Sequence, residues 1–395
     1  MKTKWDEKKT SIGNAIIIST TTLLIGILIG TNWQTWLANF MPYLTSGKTF
    51  STVDWSPLNE VYEKIATTYN GEFSATELIE GAKKGLVSAL GDKYTAYMDA
   101  KETQEFNKTL HGDVGSGVGI EMGLRDGYVR VLRTLPDNPA RSAGILAGDI
   151  IYKVDHEEVY SLSVEKIAAK IRGEAGSEVT LTVVRNGEEI EKTMVREAIN
   201  NVSAYINYDG TTAIITLTRF DEDTGTMVQK FAQEFSSRNI NKVILDLRGN
   251  AGGYVSSAQD LLSLWLDGEK MLIQKSQHFQ DSSTSTASGK AILADLKTVV
   301  LVNGTSASAS EIVAGALQDY KKATIVGETT YGKGVVQNLY NLSGGTLLKV
   351  TTANWFTPLN RSINDAGITP DIEVVRTFDD INTMHDPQLD KAKEL

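Results

Sequence analysis

The chain has 395 residues, a net charge of −10, 41% hydrophobic and 22% charged residues, and no cysteine. That length holds roughly two or three domains with real cores. The acidic balance, with no basic patch, excludes a nucleic-acid binder, and the lack of cysteine excludes disulfides, thiolate zinc sites and cysteine nucleophiles.

In chain order, residues 1–11 form a short tail carrying Lys2, Lys4, Lys8 and Lys9, and from Thr10 to Gly47 there is no charged residue. The segment "IGNAIIISTTTLLIGILIG", Ile12 to Gly30, is long enough at about 1.5 Å per residue to cross roughly 30 Å of hydrocarbon. Residues 12–31 therefore predict a single transmembrane anchor. The lysines precede it, and Trp33, Trp36 and Tyr43 follow where an interfacial aromatic belt would sit. Such flanks put the N-terminus in the cytoplasm and the bulk of the chain outside the cell membrane. A cleaved signal peptide is disfavoured, because the apolar run is long and no small-x-small site follows it.

A linker over 32–53 leads to a helical region, 54–110. Here Val61, Ile65, Leu78, Ile79, Ala82, Leu86 and Leu90 recur at helical spacing and Gly91-Asp92 breaks the pattern. Over 111–195 the texture changes to short strands and glycines. "YVRVLRTL" and "SEVTLTVVRNGEEIEKTMV" read as strands, the latter with an Asn186-Gly187 hairpin turn, and "SVEKIAAKIRG" as a helix. That pattern predicts a small barrel-like module. From 196 to 395, strands such as "TAIITL", "KVILDL", "KTVVLV" and "KATIVG" alternate with helices, followed by strands "GVVQNLY" and "GTLLKVTTANWF". The expectation is an α/β core with a largely parallel sheet. The polar stretch "DSSTSTASGK", Asp281 to Lys290, is expected as an exposed loop.

Three loops after strands in this last region could carry chemistry. In "LDLRGNAGG", Leu245 to Gly253, consecutive glycines let backbone amides turn toward an anion, although a plain tight turn has the same signature. In "NGTSASASEIVAGAL", Asn303 to Leu317, Ser308 precedes an apolar stripe of Ala309, Ile312, Val313, Ala316 and Leu317. With Glu311 three residues on, it fits a capping box. Its hydroxyl lies at a helix N-terminus, where free amides and the helix dipole favour developing negative charge. Capping and nucleophilic attack both suit that position. In "GETTYGKGVVQ", Gly327 to Gln337, a phosphate-binding P-loop is nearly matched. Gly334 stands where a Ser or Thr should hold magnesium, and a strand pattern follows, so a nucleotide site is rejected. Lys333 is either a solvated lysine or a base, for desolvation can bring a lysine amine toward neutrality and activate a serine. Gln337, four residues on, could orient that amine. The histidines, His111, His156, His278 and His385, lack the paired spacing of a zinc site. No metal or cofactor is expected.

Together these motifs resemble the C-terminal processing peptidases, or tail-specific proteases. "ELIEGAKKGLVSALGDKYTAYMDAKETQEF" is similar to the family's N-terminal helical segment, and "GITPDIEV" and "DPQLDKAKEL" to its C-terminal region. The resemblance implies Ser308 as nucleophile, Lys333 as general base and Gln337 as the group orienting Lys333. It also implies an oxyanion site from backbone amides of Ala309 and the Gly252-Gly253 turn. "GSGVGIEM" with "DNPARSAGILAGDIIYKVD" resembles a bacterial PDZ domain. Gly117, Val118, Gly119 and Ile120 match its carboxylate-binding loop, and Arg172 matches a position that couples this domain to the protease core. Ala251 and Ala147 stand where proline is usual, and "TPLNRSINDAG" is irregular against the usual version. The implied protein is a membrane-anchored, ATP-independent serine endopeptidase that binds protein or peptide substrates by their C-termini. A homodimer through the helical region is implied by the resemblance alone. The alternative is a catalytically silent PDZ-bearing membrane scaffold or holdase.

Overall fold

The computed structural model describes residues 53–395 except 126, 277–282, 378, 381, 382 and 384. The anchor expected over 12–31 lies outside the described residues. Among the described residues no helix is long and apolar enough to cross a membrane. The chain divides between Ser74 and Ala75 into two compact units. In the first, helix α1 (Ser56–Thr68) has a proline in its first turn and buries none of its residues.

The second unit begins with α2 (Ala75–Ser88), β1 (Ala96–Met98) and α3 (Ala100–Leu110). The break at Gly91-Asp92 is a built turn: the Asp92 carboxylate accepts from Tyr94 N–H at 3.0 Å and Thr95 N–H at 3.2 Å. Asp99 and Glu102 cap α3 reciprocally, the capping-box arrangement. The region is not wholly helical, since β1 pairs with residues 347–349.

Next come β2 (Ser116–Gly117), β3 (Ile120–Arg125), β4 (Tyr128–Thr134), α4 (Pro139–Ser142), β5 (Ile150–Val154) and β6 (Glu157–Glu158). They are followed by α5 (Val164–Ile171), β7 (Glu178–Arg185), β8 (Glu188–Val195) and β9 (Glu197–Ala198). Strands β3-β4-β5-β7-β8 form one antiparallel sheet in that order, with β6 on β5. The β7–β8 turn has positive φ at both Asn186 (53°) and Gly187 (85°), as a two-residue type I′ hairpin needs. Val118, Ile151, Ile167 and Leu181 belong to the buried core of this module.

The rest comprises β10 (Ala204–Asp209), β11 (Thr212–Leu217), α6 (Thr224–Gln233), β12 (Lys242–Asp246), α7 (Val255–Leu262), β13 (Lys270–Lys275) and β14 (Ser283–Thr286). After these come β15 (Lys297–Val302), α8 (Ala309–Asp319), β16 (Thr324–Gly327), β17 (Val335–Asn341), β18 (Leu347–Phe356), β19 (Ile372–Glu373) and α9 (Pro387–Glu394). A six-stranded sheet runs β10-β11-β12-β15-β16-β19. It is parallel except for the β10–β11 pair. A second, antiparallel sheet comprises β1, β18, β13 and β14 in that order, with β17 on β18.

Strand alternation sorts the central sheet into two faces. Val243, Leu245, Val300 and Val302 share a core with Val228, Leu261, Ile312 and Val313 of α6, α7 and α8. Ile244, Val299, Leu301 and Val326 face the other way, against Ala392 of α9. Each such aliphatic side chain contributes about 1.5–3 kcal/mol when fully buried. The loop expected over Asp281–Lys290 is corrected in part: Ser283–Thr286 is an edge strand, paired antiparallel with β13.

Helix α9 is tied to the sheet through Arg248. Its guanidinium donates to Asp246 (2.9 and 2.7 Å), Asp386 (2.8 and 3.0 Å) and Gln388 (2.9 Å). Burial raises the Asp386 carboxyl pKa, but the Arg248 hydrogen bonds and charge outweigh it and the net shift is downward. Arg248→Ala leaves two part-buried carboxylates without their cation. We expect about 3–5 kcal/mol of lost stability, read as a fall in the urea midpoint at unchanged slope; a wild-type midpoint would contradict the role.

Candidate active site

The loops after β12, β15 and β16, three adjacent parallel strands, carry Gly252-Gly253, Ser308 and Lys333. Sites in open α/β sheets form at such carboxyl ends. Ser308 stands at φ 55°, ψ −114°, a conformation that costs an L-residue about 1–3 kcal/mol unless its surroundings impose it. Here they do. Ser306 Oγ donates to Leu247 O at 2.8 Å, Ala307 N–H to Asn250 O at 3.0 Å and Ser310 Oγ to Asn250 O at 2.9 Å. The two outer serines thus anchor the turn to the neighbouring loop, and the middle one is held at the start of α8.

Gly252 presses directly on this turn. A Cβ at Gly252, where φ is +101°, would lie 2.8 Å from Ser308 Cβ and from Ala307 O, so only glycine fits. The Gly252 N–H donates to Asn250 Oδ1 at 2.9 Å, and Asn250 is itself fixed through Nδ2 to Leu217 O at 3.0 Å. The amide of Gly252 is therefore engaged within its own turn. At Gly253, where φ is +150°, an added Cβ would fall 2.0 Å from Phe220 O.

Glu311 joins the nucleophile turn to the lysine loop. Its buried carboxylate accepts from Ser308 N–H (2.8 Å) and Lys333 N–H (2.9 Å) on Oε2. On Oε1 it accepts from Gly332 N–H and the Thr330 hydroxyl, both at 2.6 Å. The capping-box spacing marked Glu311 in the sequence, but only as a cap for α8. Its bonds to a loop 19 to 22 residues away carry no sequence signal.

Lys333 is partly buried, with its Nζ 5.6 Å from the centroid of the Tyr94 ring. Burial lowers its pKa below the ordinary lysine value, the like charge of Lys349 lowers it further, and Glu311 opposes. Lys349, on β18, is itself lowered by burial, with Asp92 opposing. Gln337 lies where β17 slips register against β18, between Val336 and Gln337, the kind of irregularity that re-aims a side chain beside a site. Its Nε2 donates to the Tyr94 carbonyl. Tyr94 and Lys349 carry no local sequence signal: Tyr94 meets Gln337 from 243 residues away, and Lys349 reaches Lys333 from the strand that pairs with β17.

Gly117, Val118 and Gly119 are buried, Ile120 half-buried, and Arg172 caps α5. All five line one cavity of about 300 Å³ between the β3–α5 groove and the protease core.

A PDZ-type sheet joined to an α/β sheet whose strand ends hold a strained serine and a desolvated lysine defines a PDZ-bearing serine protease. Residues 130–185 match a PDZ domain, residues 211–374 peptidase family S41, and residues 39–103 the N-terminal domain of the activating protease CtpB. The protein named "Probable CtpA-like serine protease" in Staphylococcus saprophyticus is 32% identical over 361 residues, 91% of this chain and 72% of that one. Its namesake in Staphylococcus aureus strain COL is 33% identical over 358 residues, 89% and 72% of the two chains. The photosystem II D1 C-terminal processing protease superposes with a TM-score of 0.52 at 26% identity, covering 82% of this chain and 87% of that chain. An S41-type protease from Bacteroides fragilis, at 16% identity, shares the fold with a TM-score of 0.57, covering 87% and 97%. The chain belongs to peptidase family S41, among the C-terminal processing serine proteases.

Proposed function

We propose that the protein is a membrane-anchored serine endopeptidase that acts outside the cytoplasmic membrane without ATP and selects substrates by their C-termini through its PDZ domain. The observation that carries the catalytic reading is the single Glu311 oxygen that accepts from both Ser308 N–H and Lys333 N–H. It holds the proposed nucleophile and base on one support.

In this reading the neutral Lys333 amine takes the Ser308 Oγ proton as Oγ bonds to the scissile carbonyl carbon. The resulting ammonium returns a proton to the leaving amine as the C–N bond breaks. Water, deprotonated by the same lysine, then cleaves the acyl-serine. Because Gln337 Nε2 is committed to the Tyr94 carbonyl, its Oε1 is the end left to accept from the amine and aim its lone pair at Ser308. The oxyanion is held by the Ala309 amide at the start of α8 and by Gly253, since the Gly252 amide already serves Asn250. Preorganised donors of this kind cost no reorganisation as charge develops. The membrane anchor over 12–31 and the extracytoplasmic location rest on the charge-free run and its lysine and aromatic flanks.

The test is incubation of the wild-type protein with an unfolded protein ending in an apolar tail, without nucleotide. Internal cleavage, seen by mass spectrometry, and labelling of Ser308 by a serine-directed phosphonate are expected. Tail binding with neither cleavage nor labelling would favour the silent scaffold.

A further inference from the structure

We infer that Arg219, a residue of the protease core, grips the α-carboxylate of the substrate tail together with the Gly117–Ile120 loop, so that two domains read one terminus. The inference rests on the PDZ tail-recognition reading above and adds a receptor to it.

The cavity beside the carboxylate-binding loop is closed on its far side by the core, through Thr218, Arg219 and Gly249. In a chain of net charge −10, its charged lining is three arginines, Arg133, Arg172 and Arg219, against one acid, Glu121. Glu121 is already paired with Arg133. Arg219 is likewise paired with Asp221, so the unbalanced positive charge of the lining comes from Arg172, which suits an anionic occupant.

Arg219 is held for such a role. Its Nη2 donates to Asp221 Oδ2 at 2.8 Å, and both side chains are only 16% exposed. Asp221 is fixed in turn by the Thr224 hydroxyl at 2.9 Å and the Asp223 N–H at 3.2 Å. The guanidinium packs under the turn after α3: at Gly112, with φ +69°, a Cβ would fall 2.1 Å from Arg219 Cζ. Asn201 Nδ2 locks that turn by donating to Gly112 O at 3.1 Å. Yet Nε and Nη1 of Arg219 are enclosed without a hydrogen-bond partner, so a carboxylate reaches them as the guanidinium turns into the cavity that the residue lines. Buried guanidinium donors left unpaired are rare in native proteins, and a carboxylate is the acceptor their charge and geometry favour. A tail ending in an amide offers neither the charge nor the second oxygen.

The experiment uses the full chain carrying Ser308→Ala, so that bound peptide is not cut, and fluorescent peptides with one apolar tail as free acid and as C-terminal amide. With Arg219 present, the acid is expected to bind more tightly than the amide. Arg219→Gln should remove roughly ten- to a hundredfold of acid affinity, as expected for lost hydrogen bonds to a charged group, and little of the amide's. Arg219→Lys should restore part of the preference. Because Arg219→Gln leaves Asp221 unpaired, the double variant Arg219→Gln/Asp221→Asn is measured too and should show the same loss. An acid preference that survives in all three variants would overturn the inference while leaving PDZ tail recognition intact. Absence of any acid preference with Arg219 present would overturn both.

Discussion

Lys333→Ala should reduce kcat for peptide cleavage by roughly 10⁴- to 10⁶-fold, as loss of a base or nucleophile does in serine proteases, with little change in melting temperature. The fold survives because what Lys333 gives the structure comes from its main chain. Its N–H donates to Glu311 Oε2 at 2.9 Å and its carbonyl accepts from Trp355 Nε1 at 2.9 Å, and alanine keeps both. Ser308→Ala should behave alike, since the bond to Glu311 comes from the Ser308 amide. The measurement is an internally quenched peptide assay beside thermal melts of each variant. Substantial cleavage by either variant would defeat the dyad.

The direction of the Lys333 shift fixes the pH dependence. A base must be neutral to accept the serine proton, so activity should rise with pH through the lowered lysine pKa and fall tenfold per unit below it. Lys349→Met removes the like charge that helps to depress this pKa while keeping an unbranched buried chain. The acid limb should then move to higher pH, read as a rise in the pH of half-maximal activity. The stability term has a matching sign. Between the folded and unfolded pKa values of Lys333 the unfolded chain binds more protons, so this residue favours folding more as pH rises through that window.

How much of this was legible in the sequence follows from the range of each interaction. Strands β12 and β15, buried at all but one position each, show as short apolar runs, and the Asn186-Gly187 turn and the start of α8 show through local backbone chemistry. Edge strand β14 did not, because Ser-Thr-Ser-Thr carries no apolar alternation and is a strand only through its pairing with β13. Ser308 and Lys333 could be marked by residue type and neighbours. What supports them could not: the Gln337 bond to Tyr94 spans 243 residues and the Arg248 bond to Asp386 spans 138. The stripe on α8 also understates its burial. Ser310 and Glu311, polar positions in the pattern, are both fully enclosed, because they bond to loops that only the tertiary fold brings near.

Glu311 separates the two demands on such a residue, holding the loops and setting the charge. Glu311→Ala would leave three backbone N–H groups and one hydroxyl without their acceptor in a closed site. At roughly 1–3 kcal/mol for each unsatisfied buried group, the loss should exceed about 3 kcal/mol even after partial relaxation. Glu311→Gln is no milder in geometry. Each carboxylate oxygen accepts two donors, so whichever end becomes the amide nitrogen must face two N–H or O–H groups. Both variants should therefore melt earlier and lose kcat. The glutamine variant adds a signature that loosened packing alone would not give. Glu311's charge opposes the depression of the Lys333 pKa, so its neutralisation should move the acid limb of the residual activity to lower pH, opposite to Lys349→Met. A limb that stays in place, or moves with the Lys349 variant, would confine Glu311 to holding the loops; wild-type melting and kcat in Glu311→Gln would remove even that role.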